Sequence, residues 1–352
     1  MPTLRPPGKI ISGRILIACV AVVLILVSAL GWFVHRELNK PILLTESVYF
    51  EVKRGDTLGS LAYSLQEREL LPVNGRLFKY YGFLTSSRGA IKAGEYELVS
   101  GIDSFGLLAL FRSGKARQRH ITFPEGWTFS QWRSYLEEQD DINQTLVTVN
   151  DLDIMGKLGE NKMHVEGQFF PDTYHYLKGE TDLEILRRAH LRQKGVLARE
   201  WQLRNVGDVL QNVSDALILA SIVEKETGYA PDRRLVARVF LNRLEQGMRL
   251  QSDPTVIYGM GSGFNGNLRT KDLRESGPYN TYMNKGLPPT PICMPGLAAL
   301  QATLQAEPGE YLYFVAKGDG SSHFSVSLDE HNAAVRRYQK QGRTNDYRSA
   351  PR

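Results

Sequence analysis

Cysteine is almost absent, and that scarcity excludes several classes at once. Cys19 lies in an apolar N-terminal stretch and Cys293 far away in the C-terminal half, so no disulfide framework is expected. The spacing fits no zinc pattern, and the seven histidines form no ligand pair on one helical face; neither a metal nor a cofactor is expected. A large excess of one charge is also missing. The 43 Lys and Arg stand against 38 Asp and Glu, a net +5 spread along the chain, so no nucleic-acid partner is expected. An anionic membrane or an anionic polymer suits that balance equally well. Strand–helix–strand alternation is missing too, which leaves α+β as the expected fold class.

What is present is ordinary globular composition: 352 residues, 42% hydrophobic and 23% charged, enough for two domains with cores. Residues Ile15 to Val34 contain no charge, and about 20 such residues span a bilayer as a helix. Arg5, Lys9 and Arg14 precede the run and place the N-terminus in the cytoplasm by the positive-inside rule. Trp32 and Phe33 stand where an interfacial aromatic belt belongs. The competing reading is a cleaved signal peptide. Against it, the run exceeds a typical signal core, and no small-x-small site precedes His35-Arg36-Glu37. The expected layout is therefore a cytoplasmic 1–14, a transmembrane helix at 15–34 and a linker at 35–46.

Beyond the linker, Val48 to Val52 read as a strand. Residues Lys53 to Thr57 make a turn that offers a helix cap, and Leu58, Leu61, Ala62 and Leu65 follow at helical spacing. A second helix is expected from Arg76 to Leu84 and a returning strand from Ala93 to Leu98. This strand–helix–helix–strand order, opened by Gly55-Asp56-Thr57-Leu58, resembles the LysM module, which binds N-acetylglucosamine polymers. A small packing domain without sugar affinity has the same pattern. The subdomain is assigned to 47–118 and a mixed α+β domain to 119–352. Turn-to-helix phrases recur at Gly101 to Phe105 and Gly126 to Phe129, as capping chemistry alone would produce. In the larger domain, helices are expected over Phe129–Glu138, Asp182–Lys194, Ser214–Thr227 and Arg233–Gln246, and a strand over Tyr311 to Val315. The basic stretch from about Arg337 is expected to fray.

The window Ala216 to Thr227 holds the chemistry. On a helix, Glu226 shares a face with Leu219, Ile222 and Val223, whereas Glu224 points the opposite way and can stay solvated beside Lys225. Ser214 or Asp215 can cap its start and Gly228 can stop it. A carboxyl at the end of an apolar stripe loses solvation, which raises its pKa and keeps a proton available for general acid work. The plainer reading is that Glu-Lys-Glu simply solvates a helix end. Downstream, Gln251 to Gly259, Tyr279 to Tyr282 and Gly286 to Ile292 are rich in amides, hydroxyls and aromatics on proline-fixed loops. Sugar sites need such groups, and ordered loops contain them as well.

These stretches, with Glu166 to Tyr174, Ser221 to Thr227, and Tyr313-Phe314-Val315 followed by Ser322-His323-Phe324, resemble the MltG (YceG-like) endolytic murein transglycosylase family over nearly the whole chain. The run Gly318 to Ser322 is the least typical part. The resemblance implies a periplasmic catalytic domain on a single-pass inner-membrane protein that cuts nascent peptidoglycan glycan strands, with penicillin-binding proteins as partners. It makes Glu226, followed by Thr227, the catalytic glutamate. In that reaction Glu226 protonates the leaving oxygen of the MurNAc-β-1,4-GlcNAc bond, then deprotonates the muramic C-6 hydroxyl, leaving a 1,6-anhydro end. Gln251, Tyr258, Asn280 and Tyr282 are candidate substrate contacts. His323 is a candidate to orient Glu226 or the substrate, or is a plain hydrogen-bonded histidine. Asp253 is expected to organise a turn ahead of Pro254, and Glu166 to hold the Phe169–Tyr174 loop against the helix of Glu226. Either carboxylate is also where a hydrolase would find its second acid, roughly 5–9.5 Å from the first. A non-enzymatic wall-binding scaffold is the third class left open.

Overall fold

The computed structural model describes residues 13–161 and 163–341; Arg5, Lys9 and the basic stretch after 341 lie outside the described residues. The fold is mixed α+β with one N-terminal apolar helix. The chain divides into two compact units, one running to Arg119 with Leu177–Gly179, the other made of His120–Tyr176 and everything from Glu180 onward.

In the first unit, α1 (Gly13–Leu38) is long and apolar enough to cross a membrane, by length and composition. It continues past Val34 because Val34 packs on, and Leu38 enters, the core of the unit. Ile42 is buried there too, and its backbone exchanges hydrogen bonds with Gly101 and Ile102 at 2.8 Å, so the segment after the helix is pinned rather than loose. Next come β1 (Val48–Val52), α2 (Leu58–Glu67), α3 (Gly75–Leu84), β2 (Gly94–Leu98) and α4 (Ser104–Ser113). The two strands pair antiparallel, Phe50 opposite Tyr96. Thr57 caps α2 reciprocally with Ser60, and Leu61, Ala62 and Leu65 turn inward, as their spacing requires.

The second unit holds the remaining elements, apart from Arg119 at the start of the first of them: β3 (Arg119–Thr122), α5 (Phe129–Glu137), α6 (Asp151–Lys157), β4 (Thr173–Tyr176), α7 (Asp182–Gln202), α8 (Val213–Glu226), α9 (Arg233–Glu245), α10 (Asp253–Met260), α11 (Leu297–Leu304), β5 (Tyr313–Ala316), β6 (Ser322–Ser325) and α12 (Leu328–Val335). β3 pairs with β4, and β5 pairs antiparallel with β6, Phe314 opposite Phe324. One core gathers around Trp132, Phe123 and Phe169; Phe123 stacks on Trp132 at 3.8 Å. The other gathers around α8 and α9, with Leu219, Ile222, Val223, Phe240 and Leu241.

Helix α8 departs from the amphipathic expectation. Every residue from Ala216 to Val223 is buried, because α7, α9, α10 and α11 surround it. A helix apolar all round is a central one. Its cap is Asn212, which accepts from the Asp215 N–H at 3.0 Å, and Thr227 ends it by turning to extended backbone. Truncating Leu219 to Ala would cost roughly 2–5 kcal/mol for the cavity left behind. The chain from Arg336 to Gln341 also differs from expectation: it continues α12 as a π-helical turn, held in part by Tyr338 lying against His323 at 5.7 Å.

Candidate active site

At the end of α8, Glu226 opens into a cleft of about 450 Å³. Its floor is the end of α9 and the start of α10, with Arg243, Leu250, Gln251 and Asp253; one wall is β5, and α12 covers the far side through Leu328, His331 and Val335. Gln251 sits at φ 53°, a left-handed turn that swings the chain into α10. Buried Thr281 pins that turn. Its carbonyl accepts from Gln251 N–H at 3.1 Å and its hydroxyl from Ser252 N–H at 3.0 Å.

Ser252 occupies the cap position of α10 yet does not cap it. Its hydroxyl instead donates to Oε1 of Glu226 at 2.5 Å. Burial raises the Glu226 carboxyl to about 7; the Ser252 bond and the Arg243 charge pull it back, while the Asp253 charge pushes it further up. A carboxyl balanced near neutral pH can give a proton and take one back. Arg243 is buried and ties the floor together, donating to the carbonyls of Leu312 at 2.7 Å and Leu250 at 2.6 Å. Its guanidinium lies 5.3 Å from the Tyr313 ring, which stacks on His331 at 5.2 Å.

Among the residues expected from sequence, Gln251, Asp253 and Tyr282 line the cleft with Glu226. Tyr282 donates to Asp253 Oδ1 at 2.5 Å. Asp253 is the first residue of α10, so the Asp-Pro pair opens a helix where a turn was expected. The others lie elsewhere. Asn280 is buried and donates to the carbonyls of Asp272, Leu273 and Glu275 at 2.7–3.4 Å, holding its own loop. Tyr258 donates to Glu166 Oε2 at 2.9 Å. Glu166 accepts from Phe129 N–H at 3.0 Å on its other oxygen, so it joins α5 to α10 rather than bonding α8. Burial raises Glu166 to about 7 as well, against the opposing pull of those two bonds. The adjacent Gly167, at φ 80°, lies so close to Pro291 that a Cβ would come within 2.6 Å of its ring. His323 pairs with Val315 across the hairpin and meets Tyr338. Glu224 is not solvated as expected; half-buried, it accepts from Gly296 N–H at 3.0 Å, and burial raises its pKa.

Ser252 and Tyr313 stand in stretches that the sequence singles out, but nothing local pairs Ser252 with Glu226 or Tyr313 with Arg243, because these partners lie far away in sequence.

The YceG-like family is matched over residues 50–337. This chain belongs to the YceG-like family. It is 30% identical over 309 residues to the endolytic murein transglycosylase of Bacillus subtilis (strain 168), covering 83% of this chain and 85% of that protein. It is 27% identical over 356 residues to the endolytic murein transglycosylase of Streptococcus pneumoniae serotype 2 (strain D39), covering 89% of this chain but 63% of the longer relative. Among solved structures, a yceG-like protein from Listeria monocytogenes superposes with a TM-score of 0.52 at 30% identity, covering 82% of this chain and 99% of that one.

Proposed function

We propose that this YceG-like chain is an endolytic lytic transglycosylase of peptidoglycan, with Glu226 as its catalytic acid and base. The observation that carries the reading is a cleft carboxyl raised to about 7 and bonded to a hydroxyl donor, in a chain whose relatives carry that enzyme name. Protonated Glu226 gives its proton to the glycosidic oxygen between N-acetylmuramic acid and N-acetylglucosamine. The resulting carboxylate then takes the proton of the muramic C-6 hydroxyl, whose oxygen closes on the anomeric carbon. One bond breaks, one forms, and the carboxyl is regenerated without water. Gln251 and Tyr282 reach the substrate from the cleft floor. Asn280, Tyr258 and Glu166 support the loops around it.

The substrate is nascent glycan strands at the inner membrane. Helix α1 is a retained single-pass anchor with its N-terminus in the cytoplasm, a reading supported by the burial of Leu38 and Ile42 in the core that follows. The β1–α2–α3–β2 unit is a LysM-like module that holds glycan, and penicillin-binding proteins are the partners that supply the strands. Digestion of purified glycan strands, read by mass spectrometry, tests the reaction. Anhydro-muramic ends, lighter by one water than reducing ends and absent with Glu226→Gln, are the expected products. Asp253 favours one alternative, since it is a second carboxylate in the cleft. Reducing ends, lost with Asp253→Asn, would make the chain a hydrolase.

A further inference from the structure

One end of the first unit is built for a bilayer surface. At the outer end of α1, Trp32 is exposed and the Arg36 guanidinium lies 5.5 Å from its ring, an aromatic and a cation of the kind found between hydrocarbon and headgroups. At that level α1 is already packed. Its His35 ring lies 5.5 Å from Phe105, which meets the edge of Tyr81 of α3 at 4.9 Å. Helix α3 therefore sits about one turn beyond the end of the apolar run.

The outward face of α3 does not look like a solvated one. Phe78 and Gly82 point into the core, while Tyr80, Phe83 and Leu84 are 62%, 68% and 61% exposed beside exposed Arg76 and Lys79. The helix contains no acidic residue. At its C-terminal end Arg112 donates to the Gly82 carbonyl at 2.9 Å and to Thr85 Oγ1 at 3.1 Å, adding a further cation. A water-facing helix puts polar side chains at such positions. Aromatics, a leucine and cations together, without acids, suit the headgroup layer of an anionic bilayer.

We propose that α3 lies on the anionic surface of the membrane that α1 crosses, with Tyr80, Phe83 and Leu84 in the interfacial layer and Arg76 and Lys79 on lipid phosphates. The proposal rests on reading α1 as a retained anchor. Two attachments fix the orientation of the unit on the bilayer, where a lone helix would leave it free to swivel.

The test uses the full chain carrying Cys19→Ala, reconstituted in vesicles of phosphatidylethanolamine and phosphatidylglycerol. Buried Cys293 stays unlabelled. Phe83→Cys or Ile25→Cys then carries an environment-sensitive fluorophore, with doxyl-lipid quenchers at two depths. The Phe83 probe is expected to lose emission chiefly to the shallow quencher, and less so when neutral lipid replaces phosphatidylglycerol. The Ile25 probe is expected to lose it chiefly to the deep one. Quenching at Ile25 without quenching at Phe83 overturns the α3 contact and leaves the anchor standing. Quenching at neither overturns both. A blue-shifted Phe83 probe that no lipid quencher reaches overturns the proposal and assigns the face to a protein surface, such as a second copy.

Discussion

The hydroxyl of Ser252 donates to Oε1 of Glu226 at 2.5 Å, from a position where serine ordinarily caps its own helix. Pro254 at the second helical position has no N–H to be capped, so the diversion costs α10 less than it would cost most helices. The bond favours the ionised form of Glu226, and the neighbouring Asp253 charge opposes it.

These opposed influences predict opposite shifts. If Glu226 is the acid, kcat/KM is flat below about pH 7 and falls as pH rises through that value and the proton is lost. Ser252→Ala removes the bond that lowers the pKa, so the falling limb moves to higher pH. Asp253→Asn removes the charge that raises it, so the limb moves lower, while the amide oxygen still accepts from Tyr282. A pH–rate profile for each variant checks the signs; shifts in the same direction would sink the assignment.

Glu226→Gln should remove cutting, by a factor of about 10²–10⁴ for a lost general acid, while preserving the fold. The amide oxygen still accepts from Ser252. The sign of the stability effect also follows. A folded-state value near 7 against an ordinary 4.5 means the folded chain holds a proton that the unfolded chain has released. Stability therefore falls as pH rises from about 4.5 through 7, and the amide abolishes that loss. Thermal melts at pH 5 and pH 8 should converge in the variant relative to the parent chain.

Glu166 is raised to about the same value, so pKa alone does not separate the two glutamates. Geometry does, because both oxygens of Glu166 are bonded, to Phe129 N–H and to the Tyr258 hydroxyl. Glu166→Gln should keep the falling limb of kcat/KM where it is. It should also stabilise the fold above pH 7, by up to on the order of 3 kcal/mol, by removing a buried charge. Loss of the limb in this variant would transfer the acid role to Glu166.

Local chemistry was legible in the sequence wherever one segment settles its own conformation. Thr57 and Ser60 cap each other within four residues, so α2 and its inward stripe could be read directly. The apolar residues at offsets of three, four and seven pointed to Glu226, but α8 is buried all round from Ala216 to Val223, so that stripe does not by itself separate Glu226 from Glu224. Helix α10 was not legible, since Asp-Pro begins a turn and a first helical turn equally well. Asn280 and Tyr258 carry the groups a sugar site needs, but only the fold shows them bonded to their own loop and to Glu166. Ser252 reaches Glu226 across 26 residues, and Arg243 reaches Leu312 across 69, distances over which no spacing rule operates.

Arg243 provides the last prediction because it is both a charge near Glu226 and a stitch between two walls of the cleft. Its Nε serves the carbonyl before β5 and its Nη1 the carbonyl before Gln251, a planar fork that the single ammonium of lysine cannot reproduce. Arg243→Lys should orphan one buried carbonyl, at a cost of about 1–3 kcal/mol, and lower the Tm by several degrees. The retained positive charge should leave the falling limb of kcat/KM near pH 7, while KM rises as the floor and the β5 wall loosen. Arg243→Met should lower the Tm as well and in addition move the limb to higher pH, because the charge that favours ionised Glu226 is gone. Equal limbs in the two variants would show that Arg243 acts on the site through structure alone. An unchanged Tm in Arg243→Lys would show that the fork does not hold the cleft together.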